Sequence, residues 1–80
     1  MDKVDAFIDR ITVDPAIMVG KPIIKGTRVT VEHILALLMQ GMSVDEILVE
    51  YPHLVKDDIF ACLAFARAAL QQSTFMPRSY

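Results

Sequence analysis

The chain has 80 residues, ten of them acidic and eight basic, for a net charge of −2. That length allows one small domain, and the mild acidity removes any global electrostatic case for nucleic acid, so such a case has to be local. With 54% hydrophobic residues, so short a chain has too little interior to bury its own apolar surface, which points to self-association or a protein partner. Its apolar runs stop well short of the ~20 residues of a membrane span. The start, Met1-Asp2-Lys3-Val4-Asp5, has no basic region followed by an apolar run, so no signal peptide is expected. A single cysteine, Cys62, has no partner for an internal disulfide and suits a reducing cytoplasm.

Residues 1–9 read as a short amphipathic lead, with Val4, Phe7 and Ile8 against Asp2, Asp5 and Asp9; the spacing of Val4, Ile8 and Ile11 predicts a nascent helical turn. Residues 10–13 alternate polar and apolar as a short strand, and Asp14-Pro15 makes a turn. The β-branched runs 22–24 and 27–31 flank Lys25-Gly26 as a hairpin or a pair of bridges, which gives a β element over 10–29.

From Thr30 the period changes to 3.6. Thr30 is a good N-cap, and Val31, Ile34, Leu35, Leu38 and Met39 form one apolar stripe, so a helix is predicted over about 30–40, with Gly41 as its left-handed stop. Ser43-Val44-Asp45-Glu46 is a capping box and opens a second helix, about 43–51, that ends at Tyr51-Pro52. A third helix covers about 56–71, with Asp57 and Asp58 in the first turn, where the macrodipole favours negative charge. Residues 72–80 have no period and read as a loose tail, leaving 10–71 as the single domain.

The segment Gly20-Lys21-Pro22-Ile23-Ile24-Lys25-Gly26-Thr27-Arg28-Val29 carries two glycines, a proline and three cations with no acid. Lys21, Lys25 and Arg28, with backbone N–H groups near Gly20 and Gly26, are the candidate contacts for phosphate or DNA. The other reading is a structural clasp in which Arg28 pairs with Asp14 or Glu32 and the lysines are solvated. Neither possible reading helix favours DNA. Helix 43–51 offers Asp45, Glu46 and Glu50, and the third helix opens on Asp57 and Asp58.

Between Ile59 and Leu70 only Arg67 is charged, and a helix apolar all round has to be covered all round. Homodimerisation through this helix, by Phe60, Leu63, Phe65 and Leu70, is the expectation; the alternative is that alanine faces are tolerated at the surface. In the tail, Phe75, Met76 and Tyr80 are candidate anchors on a partner, and a frayed terminus is the other reading. Catalysis has little support. His33, His53 and Cys62 lack metal-ligand spacing, and Asp57 and Asp58 diverge around a helix. No phosphate loop, nucleophile elbow or dinucleotide fingerprint appears, so no enzyme activity and no metal or other cofactor is expected.

The string Ile11-Thr12-Val13-Asp14-Pro15, then Gly20-Lys21-Pro22-x-Ile24-x-Gly26-Thr27-Arg28-Val29, resembles the signature of the family called domain of unknown function 433. Gly41-Met42-Ser43-x-x-Glu46-Ile47-Leu48 and Tyr51-Pro52-His53-Leu54 continue the resemblance over about residues 10–69. It implies a mainly α fold: a three-helix, helix-turn-helix or homeodomain-like bundle with a short N-terminal β element. It also implies an antitoxin-like role beside a PIN-like nuclease toxin; together with the residue reading this gives a non-enzymatic protein that binds such a toxin and, through the cationic loop, its own promoter DNA. A structural or protein-interaction module without a nucleic-acid role is the alternative. Two departures stand out: Val55-Lys56 replaces the usual threonine-proline cap, and Met18-Val19 precedes Gly20 where a second glycine is common.

Overall fold

The computed structural model describes residues 3–72, in the order α1 (Lys3–Ile8), β1 (Ile11–Val13), β2 (Pro22–Ile24), α2 (Val31–Met39), α3 (Val44–Glu50) and α4 (Lys56–Gln71). The fold is mainly α with a short N-terminal β element, as expected. It has four α-helices among the described residues, because the lead forms α1, and a short 3-10 turn over Met18–Gly20 lies between the strands. Six residues are too few for an isolated helix in water, so α1 depends on tertiary contact. That contact is with α4: the Phe7 and Phe60 rings meet edge to face, with centroids 5.9 Å apart.

Local sequence explains most of the helix boundaries. Thr30 accepts a hydrogen bond from the His33 N–H at 3.0 Å and so caps α2. Gly41 takes φ +97 just past its end, a conformation open to glycine. The capping box of α3 is complete: Glu46 N–H donates to Ser43 Oγ at 3.1 Å, and Ser43 N–H donates to Glu46 Oε1 at 2.8 Å. The start of α4 is made differently. Val55 has no side-chain acceptor, so only the returning half exists, with Val55 N–H donating to Asp58 Oδ2 at 2.9 Å.

The sheet is two-stranded and antiparallel, with Ile11 opposite Ile24, Thr12 opposite Ile23 and Val13 opposite Pro22. The partner of residues 22–24 is therefore β1, and the run 27–31 contributes a single bridge between Ile23 and Thr30. Three-residue strands are marginal alone, and burial holds these in place. Ile11 and Ile24 enter one apolar cluster with Val31, Ile34, Ile47 and Ile59. Each isoleucine so buried contributes roughly 1.5–3 kcal/mol. Cys62 and Ala61 on α4 complete the same cluster and let the helix lie close to its neighbours.

Candidate functional site

The loop over Gly20–Val29 is first of all a clasp. Ile24 N–H donates to Val29 O at 3.0 Å, Lys25 N–H to Arg10 O at 2.8 Å, and Thr27 N–H to Ile24 O at 3.1 Å. Thr27 locks the turn a second time, its hydroxyl donating to Ile24 O at 2.8 Å and accepting from Val29 N–H at 3.0 Å. Gly26 stands third in this four-residue turn at φ +78, the left-handed position that type II turns give to glycine. Gly20 N–H is also taken up, by Ile17 O at 3.1 Å. The free backbone donor expected near Gly20 for phosphate is thus engaged inside the fold.

The three cations separate in role. Lys21 Nζ lies 3.1 Å from Glu32 Oε1 on α2, an exposed pair of small energetic weight that still neutralises the lysine locally. Lys25 and Arg28 are exposed and have no ion-pair partner among the described residues. The pairing considered for Arg28 with Asp14 or Glu32 does not form. Glu32 holds Lys21, and Asp14 Oδ1 instead accepts from Ala16 N–H at 2.9 Å in the turn after β1.

Arg28 stands between two clefts. One, about 690 Å³, is lined by Thr12, Asp14, Ile17 and Gly26. The other, about 340 Å³, is lined by Met18, Val29, Thr30, His33 and Tyr51. In the second, His33 Nε2 and the Tyr51 hydroxyl are 2.7 Å apart, and His53 stacks edge-on to Tyr51 at 6.3 Å between centroids. Sequence reasoning met His33 and His53 only as failed metal ligands and Tyr51 only as a helix end. Eighteen residues separate His33 from Tyr51, so no local spacing marks the pair. Among the described residues no group of three His, Cys, Asp or Glu side chains is placed to hold a metal ion.

The acidic faces stand where the sequence puts them. Asp45, Glu46 and Glu50 are exposed on α3, and Asp57 is exposed at the start of α4. Asp58 is buried and bound to Arg10 Nη1 at 3.0 Å. The Glu46 carboxyl is held below its ordinary pKa, chiefly by the Ser43 backbone N–H and then by the Ser43 hydroxyl. Burial pushes the Cys62 thiol up to about 12, with the Asp58 charge adding to the effect.

Of the four residues expected at a dimer interface, Phe60, Leu63 and Leu70 lie along one side of α4, 37%, 44% and 71% exposed, with Arg67 between them. Phe65 falls on another side, packs on the core, and lines an apolar groove of about 640 Å³ with Val31, Leu35, Ala66 and Ala69. The helix is covered on its inner face and, at Phe60, by Phe7 of α1, while Leu63, Arg67 and Leu70 stay exposed. Phe75, Met76 and Tyr80 lie outside the described residues. No helix among the described residues is long and apolar enough to cross a membrane.

Comparison with known proteins agrees with this architecture. A comparison with curated proteins finds no match. Among solved structures, a crystal structure at 2.00 Å resolution of a DUF433 member protein from Anabaena variabilis ATCC 29413 is similar at a TM-score of 0.74 and 28% identity, over 86% of this chain and 68% of that one. The family described as "Protein of unknown function (DUF433)" matches residues 11–66, which include the clasp, the β element, α2, α3 and most of α4. With the match extending over most of the sequence and the fold shared, this chain belongs to the DUF433 family.

Proposed function

We propose that the protein is a non-enzymatic, antitoxin-like adaptor of a prokaryotic toxin–antitoxin pair, acting in the cytoplasm as a homodimer that binds a PIN-like toxin. The observation that carries the protein-binding part is the exposed stripe of Leu63 and Leu70 on α4, bordered by Phe60, which is partly covered by Phe7. A small domain that leaves large apolar side chains on one helix face gains by burying them against a partner. The toxin–antitoxin context rests on family resemblance.

Binding of promoter DNA is the weaker half of the reading. Exposed carboxylates on α3 and at the start of α4 oppose phosphate. Lys25 and Arg28, exposed and unpaired among the described residues, are the contacts that favour it, with Lys21 held back by Glu32. A module that binds protein and no nucleic acid is the alternative, and the hydrogen bonds of the clasp support it.

Light scattering of the purified chain tests the dimer, with Leu63→Asp expected to give monomer. A wild-type monomer overturns the homodimer, and a Leu63→Asp protein that remains dimeric places the interface elsewhere. A salt series with a duplex from upstream of the protein's own reading frame tests the DNA half. Electrostatic contact predicts affinity that falls steeply with salt and weakens when Lys21, Lys25 and Arg28 become alanine. Absence of binding at low salt leaves the protein-only module. A small nuclease in the neighbouring reading frame, co-purifying with this protein, is the expected partner.

A further inference from the structure

Three features meet at one small cleft, and neither the clasp nor the helix stripe accounts for them. The first is Arg28, a guanidinium at the cleft wall without an ion-pair partner among the described residues. The second is the pair formed by His33 at the start of α2 and Tyr51 at the end of α3, 2.7 Å apart and with rings edge to face. The third is backbone strain at Met18, which lines the cleft, and at its neighbour Val19. Met18 and Val19 take φ +51 and +58, and Val19 is a β-branched residue, for which that region is a true outlier. Strain of this kind persists where surrounding structure over-determines it and is frequent at ligand clamps. Here it sets Met18 against the cleft that Arg28, His33 and Tyr51 line.

We propose that this cleft, about 340 Å³ in volume, binds a single phosphate group. Arg28 supplies the charge and a planar fork of N–H donors for two oxygens. The His33–Tyr51 pair supplies a further donor in either of its arrangements. With the Tyr51 hydroxyl donating to Nε2, the His33 Nδ1–H is left to donate; with Nε2–H donating to the tyrosine oxygen, the tyrosine O–H is left to donate. Two charged donors and one neutral donor suit a tetrahedral oxyanion better than the planar, two-oxygen carboxylate. Val29 and Met18 add apolar surface to the lining. The phosphate can come from a small phosphate ester or from a nucleic-acid backbone. The site therefore stands whether or not the promoter reading of Arg28 does, since a small ester needs no DNA.

Titration of the ¹⁵N-labelled protein with inorganic phosphate, against chloride at matched ionic strength, tests the site. Saturable shifts are expected at residues 28–33 and at Tyr51. Arg28→Ala is expected to weaken binding about tenfold, the size of a lost charge-assisted contact. Tyr51→Phe, which keeps the ring and removes the hydroxyl, is expected to weaken it by a few fold, and Lys25→Ala by less than twofold. A DNA duplex that shifts the same residues and is displaced by phosphate identifies the polymer as the source; phosphate binding without that competition identifies a small ester. Shifts that are absent at millimolar phosphate, equal with chloride, or centred on Lys25 overturn the proposal. The dimer is read separately by light scattering, so loss of one reading does not mask the other.

Discussion

Arg10 and Asp58, 48 residues apart, are joined by a hydrogen bond of 3.0 Å that ties the entry to β1 to the first turn of α4. The same carboxylate uses its other oxygen to accept from the Val55 N–H at 2.9 Å. One side chain thus completes the start of the longest helix and pins the N-terminal segment to it. Asp57 adds a longer contact to Arg10, 3.8 Å, from a more exposed position.

Asp58→Ala removes the ion pair and the half cap together, and is expected to cost about 2–3 kcal/mol in denaturant unfolding. Arg10→Ala is expected to cost less, about 1 kcal/mol, because the cap survives. The double variant should fall short of the sum, and strict additivity would show that the two side chains are not coupled. Conversely, Val55→Thr supplies the missing side-chain acceptor at a half-exposed position and is expected to stabilise by about 0.5–1 kcal/mol.

Val19 is 93% exposed and carries a positive φ. A left-handed residue with a side chain costs about 1–2 kcal/mol, and glycine gives back about 0.5–1 kcal/mol of that in chain entropy. Val19→Gly is therefore expected to raise stability by about 0.5–1 kcal/mol, read as a higher midpoint with an unchanged denaturant slope. A loss of stability would show that the turn does not strain valine.

The capping box of α3 has a pH signature. Glu46 titrates below its ordinary 4.5 because the folded state gives its carboxylate the Ser43 donors. Its contribution is complete above 4.5 and disappears as pH falls through the lowered pKa. Ser43→Ala is expected to cost about 1 kcal/mol at neutral pH and to bring the Glu46 titration, followed by carboxyl NMR, back toward the ordinary value.

Cys62 carries the opposite sign. Its thiol is raised from an ordinary 9.0 to about 12 by burial first and by the Asp58 charge second. The folded state favours the neutral thiol, so this contribution is full below pH 9.0 and is lost as pH rises toward 12. A thiol reagent at pH 8 is expected to modify the native protein only at the rate of its unfolding. Rapid modification under native conditions would contradict the burial.

Much of this molecule is legible along the chain because the deciding interactions are local. Thr30 with His33, Ser43 with Glu46, and Gly41 beyond α2 act across a few residues, so residue type and spacing disclose the helix ends. The Gly20–Val29 segment, also local, lies within the stretch that matches the family. The lead is less legible, since six residues carry little helical preference of their own and α1 rests on the contact of Phe7 with Phe60.

Residue types and their spacing settle the mainly α class, the turn at Gly26, the caps of α2 and α3, and the acidic character of both candidate reading helices. The pairings between distant residues come from the packed fold. It set Ile24 opposite Ile11 in the sheet, gave Lys21 and not Arg28 to Glu32, turned Phe65 inward while Leu63 and Leu70 stay outside, and joined His33 to Tyr51 beside Arg28. The physical reason is one of range. Backbone preferences and caps act over a turn of helix, whereas the partner of a strand or an ion is chosen by which faces the shared apolar core brings together.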